Sequence, residues 1–317
     1  MNTTAKPRFG RMIPAMVTPF DENLELDLKQ ARALARRLVE GGSDALVING
    51  TTGESPTVFY PQKMKLFQAV VEEVGGEIPI IANVGDNCTA DTVDFAQDVQ
   101  KLGVDAFMLV VPYYNKPPQE GLYQHFKTIA ESVDLPCILY NIPGRCVINM
   151  TAETTLRLAH DVENIVAIKE ASGNLEQVKA IIKDAPDGFD VYSGDDSLTY
   201  DMMKLGAAGV ISTAGNVIPK RMKELTDLCA EGIRSGIVPK RSQLYSRYAG
   251  NFEKAKSVHD TLLPFMDELF VTANPIMVKE ALNLVGFSVG GVRLPLVNAT
   301  AEQSAHLAEV MKEVGVL

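Results

Sequence analysis

The sequence predicts a (β/α)8 TIM barrel with an appended C-terminal helical layer, an α/β fold, and three observations lead there. Short runs rich in Val and Ile recur along the chain, each is followed by a stretch of helical spacing, and the runs are continuously apolar. A run without polar alternation marks a parallel strand buried on both faces. Eight such units match the count of a closed barrel. A doubly wound sheet is the rival, but no G-x-G-x-x-G follows the first run.

The runs cover residues 12–17, 45–48, 78–84, 106–111, 137–142, 165–168, 189–192 and 208–212. After the first, Leu28, Ala31, Leu34, Ala35 and Leu38 form a helical stripe; Met64, Phe67, Val71 and Val74 form the next, and Leu122, Phe126, Ile129 and Val133 repeat the pattern. Glycines stand where helices hand back to strands, at Gly41-Gly42, Gly75-Gly76, Gly103 and Gly206, the position after a helix that favours positive φ. Beyond the eighth run the tail is longer than one closing helix requires. Leu244, Tyr248, Phe252 and Ala255 continue helical spacing, and Asn274-Pro275 reads as a further helix start with proline at the first helical position. The barrel is therefore expected over residues 1–220 and the helical extension over 221–317.

Composition narrows the function. Thirty Lys plus Arg against forty Asp plus Glu leave a net charge of −10, which opposes association with a phosphate backbone, so no nucleic-acid partner is expected. Cys88, Cys137, Cys146 and Cys229 form no C-x-x-C pair, which fits a reducing cytoplasm. The first twenty residues contain no apolar core of a signal sequence and no run suits a membrane span, so neither export nor membrane insertion is expected. His125, His160, His259 and His306 lie far apart with no H-E-x-x-H or Cys/His cluster, so no metal site is expected.

In a barrel of this kind, reactive groups stand at the C-terminal ends of the strands. Lys169 closes the sixth run. With alternating side chains it shares the interior face with Ile165 and Ala167, where desolvation lowers an ammonium pKa and frees an amine to attack a carbonyl. The alternative is a lysine that snorkels to water or pairs with Glu170. Tyr140 closes the fifth run, where a phenol can relay protons or simply fill a half-buried slot. Arg145 follows a Pro-Gly turn and carries a planar fork suited to a carboxylate.

After the second run, Gly50-Thr51-Thr52-Gly53-Glu54 offers two glycines for close backbone approach and two hydroxyls. Its T-x-x-E spacing also fits a capping box, but Pro56 and Pro61 push the helical stripe later and argue against that. Tyr113-Tyr114-Asn115-Lys116-Pro117-Pro118 is a stiff loop suited to a pocket wall or a subunit contact. Ser193-Gly194-Asp195-Asp196-Ser197 reads as a helix N-cap.

Together with Ile168-Lys169-Glu170-Ala171-Ser172-Gly173 and Gly209-Val210-Ile211-Ser212, these motifs resemble, in order and over nearly the whole chain, the dihydrodipicolinate synthase family. Its superfamily also holds N-acetylneuraminate lyase and comprises Schiff-base barrels acting on pyruvate or other 2-keto acids. The double threonine and Arg145 resemble the synthase branch more than the lyases and keto-sugar aldolases. The resemblance implies that Lys169 forms an imine with pyruvate and that Tyr140 shuttles protons with Thr51 and Tyr114, the last reaching into a neighbouring subunit. It implies that Thr52, the backbone around Ile211 and the Gly50 to Gly53 loop hold the pyruvate, that Arg145 faces the carboxylate of aspartate-4-semialdehyde, and that no cofactor is used. A homo-oligomer, tetramer or dimer, is implied as well.

Two departures stand out. Residues 233–255, with Pro239-Lys240-Arg241, are longer than the family's usual link into the C-terminal helices. Lysine-inhibited members commonly carry histidines after the G-T-T-G-E loop, where this chain has Tyr60 and Lys63, with Asn87 and Asp91 near; weak or absent lysine feedback is the expectation. The rival readings are a sister aldolase or lyase, a non-catalytic keto-acid-binding barrel, and a phosphate-binding barrel. The last lacks a glycine-rich loop after the seventh strand.

Overall fold

Eight parallel strands form the sheet of this computed structural model, which describes residues 7–234 and 249–317. They are β1 (Met12–Pro14), β2 (Leu46–Ile48), β3 (Ile80–Asn83), β4 (Ala106–Val110), β5 (Cys137–Asn141), β6 (Ile165–Glu170), β7 (Asp190–Ser193) and β8 (Gly209–Ser212). Hydrogen bonding runs β1-β8-β7-β6-β5-β4-β3-β2, and a bridge between Ala15 and Val47 brings β1 and β2 together, so the sheet nearly closes. The expected barrel is present, with β1 and β3 three residues shorter than their apolar runs, β2, β4, β5 and β8 one residue shorter, and β7 shifted by one residue. β6 is longer than its run, extending past residue 168 through Lys169 and Glu170.

The apolar runs are continuous because the two strand faces enter two different cores. Ile13, Val47, Ile81, Met108, Ile138, Ala167 and Ile211 fill the barrel. Their neighbours Met12, Leu46, Ile80, Phe107, Leu139, Ile168 and Val210 face the surrounding helices. At the base of β6 the alternation breaks. The pairing register between β5 and β6 shifts after Cys137, so Ile165 joins the outer core while Val166 packs against the barrel interior. The expectation that Ile165 shares the face of Lys169 is therefore corrected: an irregularity reverses the face partway along the strand. Beyond it Ala167 faces inward, Ile168 outward and Lys169 inward.

The helices in chain order are α1 (Leu28–Glu40), α2 (Tyr60–Val74), α3 (Thr89–Gln100), α4 (Gln119–Glu131), the short α5 (Pro143–Cys146), α6 (Ala152–Asp161), α7 (Leu175–Asp184), α8 (Thr199–Leu205), α9 (Pro219–Arg234), α10 (Ala249–Glu268), α11 (Ile276–Leu284) and α12 (Ala301–Glu313). Ala31, Leu34, Ala35 and Leu38 of α1 are buried as the stripe predicts, capped by Asp27 accepting from the Gln30 N–H. On α2 the buried face is rotated: Leu66 and Val70 join Phe67 and Val74, while Met64 and Val71 sit at its edge. Gly42 and Gly206 turn the chain out of α1 and α8 at φ 89° and 109°, where an L side chain is strained.

Among the described residues three helices follow α9 and build the helical layer. α10 packs on α9, and α11 and α12 pack on one another. Pro275 precedes α11 as its N-cap, one residue before the predicted position. Phe252 packs against the core and Ala255 is buried; Leu244, Tyr248 and Pro239-Lys240-Arg241 lie outside the described residues. Among the described residues no helix is long and apolar enough to cross a membrane.

Candidate active site

β5 and β6 pair Tyr140 directly with Lys169, and both side chains enter the barrel mouth. The Lys169 Nζ lies 4.4 Å from the Tyr140 ring centroid, the residue is only 5% exposed, and no carboxylate lies within ion-pair distance among the described residues. Burial drives its pKa down from 10.5 to about 8; the Asp196 charge resists that shift and Arg145 adds to it. Glu170 is not its partner. That carboxylate turns to the outer face, where it accepts from Asn141 Nδ2 at 3.1 and 3.2 Å, Gln177 Nε2 at 3.0 Å and the Ser172 N–H at 2.8 Å. A buried glutamate so satisfied anchors the strand end and leaves the lysine unneutralised.

Tyr140 is buried and its phenol pKa is pushed up to about 12, chiefly by burial, with the Arg145 charge and a hydrogen bond to the Thr51 side chain acting in the opposite direction. Thr51 therefore reaches the Lys169–Tyr140 pair from the loop after β2. Thr52, beside it, is buried, and its Oγ1 accepts from Asn274 Nδ2 at 2.9 Å. Gly50 is buried near Met108 and Val47. Gly53 is held so close to Asn49 and Met16 that a Cβ would lie 3.1 to 3.2 Å from their backbone atoms. The Gly53 requirement is thus backbone packing within the loop. Ile211 belongs to the barrel interior.

Arg145, on α5, is exposed, and its Nη2 donates to the Asn274 carbonyl at 3.4 Å. Its charge lowers the pKa of both Lys169 and Tyr140, so it acts on the site electrostatically. Tyr114 is not gathered with the others. It stands 88% exposed at φ 74°, on a loop braced by Tyr113 Oη donating to Asp86 at 3.1 Å and Asn115 Nδ2 donating to the Asn87 carbonyl at 2.8 Å.

The expected N-cap at Asp195-Asp196 is corrected. α8 starts after Leu198 with no side-chain cap. Asp195 instead accepts from the Ser197 N–H and Oγ, while Asp196 is buried and reaches across to the turn after β8. There it accepts from Ser212 Oγ at 2.5 Å, the Thr213 N–H at 2.9 Å and the Ala214 N–H at 2.8 Å. Burial nevertheless raises its pKa to about 6. An aspartate near a helix start reads as a local cap in sequence; here the donors belong to a turn seventeen residues on.

Sequence reasoning missed three further contributors. Gly194 makes room for the lysine: a Cβ there would lie 2.6 Å from Ala171 Cβ and 3.1 and 3.2 Å from Lys169 Cε and Cγ. Asn274, noticed only as a helix start, contacts both Thr52 and Arg145. Glu54 is buried at φ 54° and forms an ion pair with Lys279 at 2.9 Å, so it is no capping-box partner of Thr51. Gly194 and Glu54 stood inside motifs already singled out, but neither was given this role.

Two recesses lie apart from this cluster. One, of about 150 Å3, is lined by Ser55, Tyr60, Lys63, Asp86 and Asp91, and so contains three of the four residues on which the lysine-feedback expectation rests. Burial lowers the Lys63 pKa, opposed by Asp86. The other, of about 580 Å3, is lined by Arg8, Asp134, Asp161 and Asn164 and includes none of the strand-end residues above.

Comparison with known proteins gives one consistent result. The sequence profile of the Dihydrodipicolinate synthetase family matches residues 8–243 and 233–314. A 4-hydroxy-tetrahydrodipicolinate synthase of Symbiobacterium thermophilum is 48% identical over 98% of this chain and 100% of its own length. A 4-hydroxy-tetrahydrodipicolinate synthase 1 of Halalkalibacterium halodurans is 50% identical over 94% of this chain and 95% of its own. The crystal structure of the Cyanidioschyzon merolae dihydrodipicolinate synthase with lysine bound superposes with a TM-score of 0.90 at 43% identity, covering 98% of this chain and 100% of that one.

Proposed function

The chain belongs to the dihydrodipicolinate synthetase family, and from that premise we propose that it condenses pyruvate with aspartate-4-semialdehyde to 4-hydroxytetrahydrodipicolinate through an imine on Lys169. The observation that carries the residue assignment is a buried amine 4.4 Å from the ring of a buried tyrosine, with no carboxylate in ion-pair contact among the described residues; burial brings its pKa down to about 8.

In the proposed sequence the neutral Lys169 amine attacks pyruvate C2 and the carbonyl oxygen leaves as water, giving the imine. Protonated, the imine draws electrons from C2, and the methyl group loses a proton to become the enamine carbon. That carbon forms a bond to the aldehyde carbon of the second substrate, whose oxygen takes up a proton. The substrate's amino group then displaces Lys169 from C2, closing the ring and returning the free amine. The protonated imine is its own electron sink, so the proposed chemistry calls for no metal or diffusible cofactor.

Each proton has a carrier within reach of the mouth. Tyr140, with a pKa near 12, is protonated at neutral pH and serves as acid before base, passing protons through Thr51. Thr52 and the backbone at Ile211, with the Gly50 and Gly53 backbone, hold the keto-acid carboxylate. Asn274 donates to Thr52 Oγ1, which leaves the Thr52 hydroxyl proton free to donate to that anion. Arg145 takes the carboxylate of the semialdehyde; its exposure suits a group that meets the second substrate last. Tyr114 completes the relay from a neighbouring copy in a homo-oligomer, dimer or tetramer, a reading supported by its exposure on a braced loop. Four free cysteines support a cytoplasmic setting.

The test is borohydride reduction in the presence of pyruvate, with mass spectrometry of the adduct, beside turnover assays offering aspartate-4-semialdehyde, N-acetylneuraminate and keto-deoxy sugar acids. The expected result is one pyruvate-derived adduct on Lys169 and consumption of the semialdehyde alone. An adduct with another acceptor moves the chain to a sister activity, and no adduct on Lys169 ends the imine mechanism.

A further inference from the structure

The loop after β2 carries Thr51 and Thr52, yet its outer anchors come from the far end of the chain. Lys279 of α11 donates to Glu54 Oε1 at 2.9 Å, and the Arg293 N–H donates to Glu54 Oε2 at 2.9 Å. Lys279 also donates to the Thr18 carbonyl at 3.1 Å and to the Gly291 carbonyl. Thr18 closes the circuit, its Oγ1 donating to the Gly53 carbonyl at 2.6 Å. Arg293 holds the next turn through Nη1 to the Thr57 carbonyl at 2.8 Å. Both members of the Glu54–Lys279 pair are buried, and Glu54 adopts a left-handed backbone that a residue with a Cβ occupies at a cost.

A buried ion pair adds little net stability over an apolar pair of similar volume, because both charges must be stripped of water. What it supplies is geometry. An ammonium with three oxygen acceptors and a carboxylate with two fixed donors admit one arrangement of the loop, whereas apolar contacts tolerate sliding. We propose that Lys279 and Glu54 are positioning residues for keto-acid binding: the pair locks the G-T-T-G-E loop to the C-terminal layer so that the Thr52 hydroxyl is presented to the substrate carboxylate and Thr51 to Tyr140. This rests on the assignment of Thr52 to the pyruvate carboxylate above. The pair touches no reacting atom and acts through the two threonines.

The experiment compares Glu54→Gln, Lys279→Met and the double variant, each also in a Thr52→Ala background, by steady-state kinetics for both substrates, borohydride trapping and thermal midpoint. Glu54→Gln and Lys279→Met each raise KM for pyruvate about tenfold or more, from loss of orientation at the loop. The KM for the semialdehyde changes by less than about twofold, and the trapped adduct still falls on Lys169. In the Thr52→Ala background the same substitutions add less than about twofold to the pyruvate KM, because the residue they act through is gone. A lowered midpoint with an unchanged pyruvate KM, or effects that add in full to Thr52→Ala, overturns the proposal. If Lys279→Met alone fails to fold, the double variant carries no uncompensated buried charge and takes the same readouts. Absence of the Lys169 adduct in the unaltered protein refutes the imine reading, an outcome distinct from any of these.

Discussion

Two buried lysines, one at the barrel mouth and one in the C-terminal layer, are the same residue in opposite states. Lys169 is 5% exposed and Lys279 1%. Burial lowers the pKa of both, but Lys279 has the Glu54 carboxylate in contact and two carbonyls besides, whereas Lys169 faces a tyrosine ring. Nearby acid is not lacking at the mouth. Asp196 acts on Lys169 only through its field, because its oxygens are occupied by Ser212, Thr213 and Ala214. Burial alone therefore does not leave an amine unpaired; what matters is whether the nearest carboxylates are already committed elsewhere.

The sharpest way to break this comparison is the same substitution at both positions. Lys169→Met is expected to cut kcat by at least about 10^3-fold and abolish the pyruvate adduct, while stability in denaturant titration stays level or rises, since an unpaired buried cation is removed. Lys279→Met is expected to keep the adduct and lose about 3–5 kcal/mol of stability in the same titration, because Glu54 is left charged and unpaired. Equal stability losses at both sites would show that the lysines do not differ in the way described.

A smaller effect is set by pH. Only the neutral amine attacks, so the rate of imine formation should rise about tenfold per pH unit up to about pH 8 and level off above it. Stability carries the matching sign. Lys169 titrates at about 8 when folded against an ordinary 10.5, so the unfolded chain holds an extra proton between those values, and stability rises with pH across that window. The rise should be missing in Lys169→Met, and stopped-flow trapping with paired melts checks both. A rate plateau near pH 10 would mean that Lys169 keeps its ordinary pKa.

The smallest expected effect tests the space around the mouth lysine. Gly194→Ala should lower kcat about tenfold by crowding Lys169 Cε and Cγ, with the adduct still on Lys169. An unchanged kcat would show that the side chain relaxes freely.

What could be read from the sequence was whatever repeats locally. Eight apolar runs, the α1 stripe and the glycines ending helices each leave a mark of local period or position, so they survive in the string of letters although the surfaces they bury against are distant. The placement of Lys169 and Tyr140 side by side followed from strand order alone. The β6 irregularity did not, because nothing in Ile165-Val166-Ala167 distinguishes a slipped register from a regular one. Asp196 was misassigned because a cap seventeen residues away leaves no local mark. The Glu54–Lys279 pair, separated by 225 positions, has no period at all. Such pairs are specified by the closed fold, and only the fold reveals them.

That separation also sets when the enzyme comes into being. As the chain emerges from a ribosome, the barrel strands and Lys169 are made long before residues 274, 279 and 293, which bind Thr52 and Glu54. Until then Glu54 lacks its counter-charge and Thr52 its amide donor, so a nascent barrel holds Lys169 beside a loop that is not yet anchored. On the proposed assignments, a shortened chain ending after β8 is for the same reason expected to fall short of a minimal catalyst: the last helices anchor the loop after β2 as the strands carry it.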